Sequence, residues 1–127
     1  MNFEIGQIWN YKNRIGEADS TILILRVETY ETQGVVIHIS VRDICIKCYA
    51  DGNTIADEIE HVPITENALL ASVTNIADSI ACIPDFSQDY NYWKRAFENN
   101  KGGVWSLLVN EIVAYTETTI NDDLTLQ

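Results

Sequence analysis

Three groups of residues carry side chains capable of chemistry. Cys45-Ile46-Lys47-Cys48 has the C-x-x-C spacing of a redox pair or of half a zinc site. Either use needs the two sulfurs to converge, usually from a loop or a helix start. Here the motif falls in a run that reads as strand, where positions three apart face opposite sides. A second cysteine pair is missing, and only Cys82, His38 and His61 could complete a metal set. The expectation is core cysteines, with no metal and no cofactor. His38 and His61 could each act as a general base if an acid and a nucleophile stood beside them. No G-x-S-x-G, H-E-x-x-H or phosphate-binding glycine loop accompanies them. Surface or hydrogen-bonding histidines are expected, and the chain is not read as an enzyme. An unfamiliar site built from His38, His61, Arg14 and Glu17 would require those four to share one pocket. Asp51-Gly52-Asn53 with Asp57-Glu58 has a faint likeness to a calcium loop. Ile55 stands where the fifth-position oxygen ligand belongs and Val62 where the bidentate Glu belongs, so that pattern is rejected.

The remaining chemical feature is charge. The 127 residues carry 8 Lys and Arg against 19 Asp and Glu, a net charge of −11. The excess is local: between positions 49 and 91 stand Asp51, Asp57, Glu58, Glu60, Glu66, Asp78, Asp85 and Asp89, with no basic residue. Such a field repels phosphate backbones and anionic lipid, so nucleic acid and membrane are disfavoured as partners. It attracts a basic protein surface and speeds encounter with it. The candidate partner-binding residues are Asp51, Asp57, Glu58, Glu60 and Glu66, with Tyr92 as an aromatic anchor. The competing reading is a solvated acidic surface that only keeps the protein soluble.

The elements that must position these residues follow from hydrophobic patterning. One domain over 1–127 is expected, with a core large enough to need no staples. Thr21 to Tyr30 is β-branched and aliphatic, and Glu31-Thr32-Gln33-Gly34 turns the chain. Val35, Ile37, Ile39 and Val41 alternate with His38, Ser40 and Arg42 as in a strand. After Asp43 the apolar set becomes Ile44, Ile46 and Cys48, a parity change that predicts a bulge or tight turn at Arg42-Asp43. Asp51-Gly52-Asn53 reads as a turn, and Glu58 to Ile64 as a strand that Pro63 confines to an edge or an end. Thr65 is a candidate N-cap. Leu69, Leu70, Val73, Ile76, Ala77 and Ile80 then recur at helical spacing, and Cys82-Ile83-Pro84 closes that helix. Ser87 or Asp89 caps a second helix with Tyr90, Trp93 and Phe97 on one face, stopped by Asn99-Asn100-Lys101-Gly102-Gly103. Val104 to Leu108 reads as a returning strand and Val109 to Ile120 as a terminal helix. The sum is an α+β fold, an antiparallel sheet of four to six strands with two or three helices packed on one face.

Several of these pieces recur as an ordered set of strings: Gly6-Gln7-Ile8-Trp9-Asn10-Tyr11 with Arg14, Gly16-Glu17 and Ser20; His38-Ile39-Ser40-Val41; His61-Val62-Pro63-Ile64 running to Ala68-Leu69; and Tyr90-Asn91-Tyr92-Trp93-Lys94-Arg95-Ala96-Phe97. Together they span most of the chain, and the set resembles a family of small uncharacterised bacterial proteins. The resemblance implies no catalytic residue. That family tends to show Asp-Gly after the His-containing strand, where this chain has Asp43-Ile44. In type, by size, acidity and lack of enzymatic motif, the chain is similar to immunity proteins that neutralise bacterial toxins, including those of contact-dependent growth inhibition.

No apolar run reaches the length of a membrane span. Met1-Asn2-Phe3-Glu4 begins no basic-then-apolar leader, and three sparse cysteines suit reduced thiols, so a cytoplasmic location is expected. The functional expectation is an immunity protein that binds a basic toxin domain of nuclease type, and that is a monomer or weak homodimer when free. The alternative is a self-associating regulatory or housekeeping domain without catalytic activity.

Overall fold

The computed structural model describes residues 2–125. The α+β expectation holds: five strands form one antiparallel sheet, accompanied by three helices. The strands are β1 (Gln7–Tyr11), β2 (Thr21–Tyr30), β3 (Gly34–Lys47), β4 (Thr54–Thr65) and β5 (Val73–Ser79). The helices are α1 (Glu66–Ser72), α2 (Ser87–Glu98) and α3 (Val109–Thr125). Sheet order is β4-β3-β2-β1-β5.

The register of β2 on β3 sorts side chains onto two faces. Ile22 opposes Val41, Ile24 opposes Ile39 and Val27 opposes Ile37 on the first face. There Ile64 and Val62 of β4, Leu69 of α1 and Ile112 and Val113 of α3 complete an aliphatic core. Each fully buried aliphatic side chain of this kind favours folding by about 1.5–3 kcal/mol. Two helices therefore cover one face, as the patterning anticipates. The third does not join them. The Trp93 and Phe97 rings of α2 pack on Tyr30, and Trp93 also packs on His38; both sheet residues belong to the second face.

The predicted parity change is real. Asp43 takes φ 58, the register of β3 on β4 shifts between Arg42 and Ile46, and Ile44 and Ile46 return to the core beside Val41. Pro63 lies in β4, an edge strand, as its missing N–H requires. Thr65 caps α1, its Oγ1 accepting the Ala68 N–H at 3.2 Å.

Four expectations fail. The helix expected through Ile80 ends at Ser72, and Val73–Ser79 becomes β5 against β1, with Val73 opposite Tyr11 and Ile76 opposite Trp9. Val73, Thr74 and Ile76 are β-branched, and the open edge of β1 offers a ladder that outweighs a marginal helical period. Gly6 helps close that edge. It sits at φ 92, accepts the Ile80 N–H on its carbonyl, and has room for no side chain, since a Cβ there would strike the Ile80 carbonyl oxygen. The returning strand at Val104 to Leu108 reduces to a single parallel bridge from Trp105 to Ile64. Neither Ser87 nor Asp89 caps α2: the cap position is Phe86, and Asp85 Oδ1 accepts the Ser87 N–H at 2.9 Å. The cysteines are not core residues, Cys45 and Cys48 being half-buried and Cys82 exposed. Among the described residues no helix is long and apolar enough to cross a membrane.

Candidate functional site

The second sheet face carries polar groups beside the buried Leu23 and Val36, where the first is aliphatic. Arg26 opposes His38 and Glu28 opposes Val36 there. His61 reaches the same face because the β3–β4 register shifts between Ile39 and Val41, which changes the parity of β4 beyond Ile59. His38 is fully buried and His61 partly so, with their rings stacked at 5.1 Å.

These groups form a continuous chain. Glu28 Oε1 lies 2.8 Å from His38 Nε2, and His38 Nδ1 lies 2.8 Å from His61 Nε2. An ionised carboxylate only accepts, so His38 Nε2 carries its proton and donates it. Burial outweighs the attraction of Glu28 and holds His38 down to about 4, so near neutral pH it is uncharged. Its Nδ1 is then an acceptor, and His61 Nε2–H must be the donor. Burial lowers the His61 pKa as well, against the pull of Asp89. Glu28 also accepts from Tyr30 at 2.9 Å and Tyr90 at 2.6 Å, while Arg26 sits 3.2 Å from its second oxygen. Burial alone would raise Glu28, but the hydrogen bonds from Tyr90, Tyr30 and His38 prevail and bring it down to about 2. The same burial and anionic neighbour push both tyrosines up to about 12. Lys94 Nζ closes the network by donating to Tyr30 Oη at 2.6 Å. The arrangement fixes α2 to the sheet through Tyr90, Trp93 and Lys94, and the Trp93 indole N–H donates to the Gly103 carbonyl at 2.8 Å.

Arg14 and Glu17 stand elsewhere. Arg14 binds Glu17 at 2.8 Å and Glu117 of α3 at 3.1 Å, and Glu17 accepts the backbone N–H of Cys45. This cluster ties the 12–20 loop to β3 and α3. His38, His61, Arg14 and Glu17 therefore do not share a pocket.

Beside the N-terminal end of α2, on the polar face, lies a cleft of about 540 Å³. Asp57, Glu58 and Glu60 of β4, Asp43 of β3, Asp85 just before α2 and Asp89 in its first turn supply six carboxylates to its lining. Leu25, Pro84 and Phe86 supply apolar wall, Ser40 lines it from β3, and Arg42 is its one basic residue. Among the described residues none of the six carboxylates is in an ion pair. Three of the sequence candidates, Asp57, Glu58 and Glu60, thus come together. Asp51 lies in the β3–β4 turn, where it accepts the Asn53 N–H, and Glu66 lies in the first turn of α1. Tyr92, 80% exposed, lines a neighbouring depression with His61, Asp89, Trp93 and Trp105. Asp43, Asp85, Asp89 and Ser40 are additions that sequence reasoning missed as site residues. The charge run contained Asp85 and Asp89, but nothing in the sequence shows that the chain returns them to β4. Among the described residues no cluster of His, Cys, Asp and Glu is placed to hold a metal ion.

No protein-family model, curated protein or solved structure matches the chain.

Proposed function

We propose that the chain is a protein-binding domain whose acidic cleft captures a basic protein partner, a toxin domain of nuclease type held inactive by occlusion of its phosphate-binding Lys and Arg side chains. The supporting observation is the cleft itself: six carboxylates from three chain segments, without ion-pair partners among the described residues, around an apolar wall. Charge of this sign steers a cationic surface into contact, and desolvated apolar contacts then hold it. The test mixes the protein with purified basic nuclease toxin domains and follows association and nuclease activity against ionic strength. Expected are a one-to-one complex, loss of nuclease activity, and an association rate that falls steeply with salt. Changing Asp57, Glu58 and Glu60 together to Lys should slow association by roughly tenfold or more. Unchanged rate and affinity in that variant would place binding on another face.

A second reading has its own observation. Among the described residues the outer edge of β5 has no strand neighbour, and its residues beyond Val73 are exposed, including Ile76 at 49%. An open edge of this kind pairs readily with a second copy. Sedimentation decides it: a stable homodimer dissociated by Ile76→Lys, with no affinity for basic domains, favours self-association.

A further inference from the structure

Ser40 lies on β3 two residues from His38, on the same sheet face, and is 2% exposed. Its Oγ is the one buried side-chain polar atom among the described residues that has no hydrogen-bond partner. Buried hydroxyls are almost always paired, so an orphan asks for a ligand. This one borders the acidic cleft. The carboxylates around it are spread over the walls and do not converge as metal ligands do. A spread of acceptors suits a wide, delocalised cation better than a point charge.

We propose that the cleft receives an arginine side chain of the protein partner. Its guanidinium lies among the carboxylates of Asp57, Glu58 and Glu60, with one N–H donated to Ser40 Oγ. Its aliphatic stem and planar face lie against Pro84 and Phe86. Five N–H donors in a rigid fork can serve the hydroxyl and the carboxylates at once, and the guanidinium plane stacks on an aromatic ring. A lysine ammonium offers three donors and no plane. The Arg42 side chain lines the same cleft and opposes the incoming charge. This inference rests on the cleft being the protein-binding site, and it adds which side chain enters.

The test is titration of the full chain at low ionic strength with tri-arginine amide and, separately, tri-lysine amide, followed by amide chemical shifts. The arginine peptide should bind about fivefold more tightly, the scale of one added hydrogen bond, with shifts centred on Ser40, Glu58 and Phe86. Ser40→Ala, checked for an unaltered fold by its amide spectrum, should remove the arginine preference while lysine binding persists. Arg42→Ala should tighten both peptides. Equal affinities or an unchanged preference in Ser40→Ala would overturn the arginine site and leave the acidic-face reading standing, whereas shifts centred outside the cleft would overturn both. Absence of binding by either peptide would overturn both.

Discussion

The two faces of one sheet are held by different physics. Under α1 and α3 the sheet presents Ile22, Ile24, Ile37, Ile39 and Ile64, all without exposure. Under α2 it presents Glu28, His38 and His61, and the helix answers with Tyr90, Trp93 and Lys94. An aliphatic face is held by area and volume, so it accepts replacements that conserve both. A polar-aromatic face is held by pairing, so removing one member strands the others. The open acidic cleft lies on the second face, at the margin of the paired network. The cleft's carboxylates thus sit beside geometry fixed by directional bonds.

The largest effects should come from emptying either face. Trp93→Ala removes the ring that packs on His38, Tyr30 and Phe97, and should cost about 3–5 kcal/mol. Ile39→Ala on the other face should cost about 2–5 kcal/mol. Urea denaturation measures both. The faces should diverge under conservative change: Ile39→Val should cost only about 0.5–1.5 kcal/mol. If Trp93→Ala were nearly silent, α2 would not be docked as described.

A smaller effect isolates pairing. Glu28→Ala leaves His38 Nε2, Tyr30 and Tyr90 without their shared acceptor, and should cost about 1–3 kcal/mol for the buried donor. Combined with His38→Ala, the loss should be clearly less than additive, because the two residues share one interaction. Glu28→Ala combined with Ile39→Val should add within about 0.5 kcal/mol. An additive Glu28–His38 cycle would mean that the contact carries no coupling.

Acid should act through the same face. His38 goes from an ordinary value near 6.5 in the unfolded chain to about 4 in the fold, so between those values the unfolded state binds more protons. Stability should therefore fall as pH drops from about 6.5 toward 4, with His61 shifted in the same direction. Glu28 adds a second loss on acidification, from its usual 4.5 down to about 2. Denaturation midpoints across this range should flatten between pH 6.5 and 4 in His38→Gln, whose amide has no proton to gain. An unchanged slope in that variant would assign the acid sensitivity to other groups.

How much of this was legible follows from the local rules involved. The β2 and β3 strands, the turn at Glu31 to Gly34 and the fault at Asp43 were readable because alternation and its phase are properties of adjacent residues. The segment Val73 to Ile80 misled because its apolar spacing satisfies a helix, whereas its fate depends on β1, some sixty residues earlier. The His38–His61 pair was invisible for a related reason: a bulge in β4 changes parity, and composition does not reveal bulges. Asp57, Glu58 and Glu60 were readable as a charge run, but their meeting with Asp85 and Asp89 is a tertiary event. Ser40 showed only that its strand face was polar.

The smallest expected effect is at Ser40, and its sign is what matters. A buried serine that donates or accepts should lose stability when truncated, since its partner is left unpaired. The Ser40 hydroxyl has no partner to strand. Ser40→Ala in the free protein should therefore be neutral, or should stabilise by up to about 1 kcal/mol, because an unpaired buried hydroxyl is removed at little change in volume. Ser72→Ala provides the contrast: its Oγ donates to the Ala68 carbonyl and accepts the buried Val109 N–H at 3.0 Å, so loss of about 1–3 kcal/mol is expected. Two buried serines of one sheet-and-helix domain would then respond with opposite signs. A destabilised Ser40→Ala would instead mean that the hydroxyl is already satisfied in the free protein, and the cleft would lose its reason to demand a donor from outside.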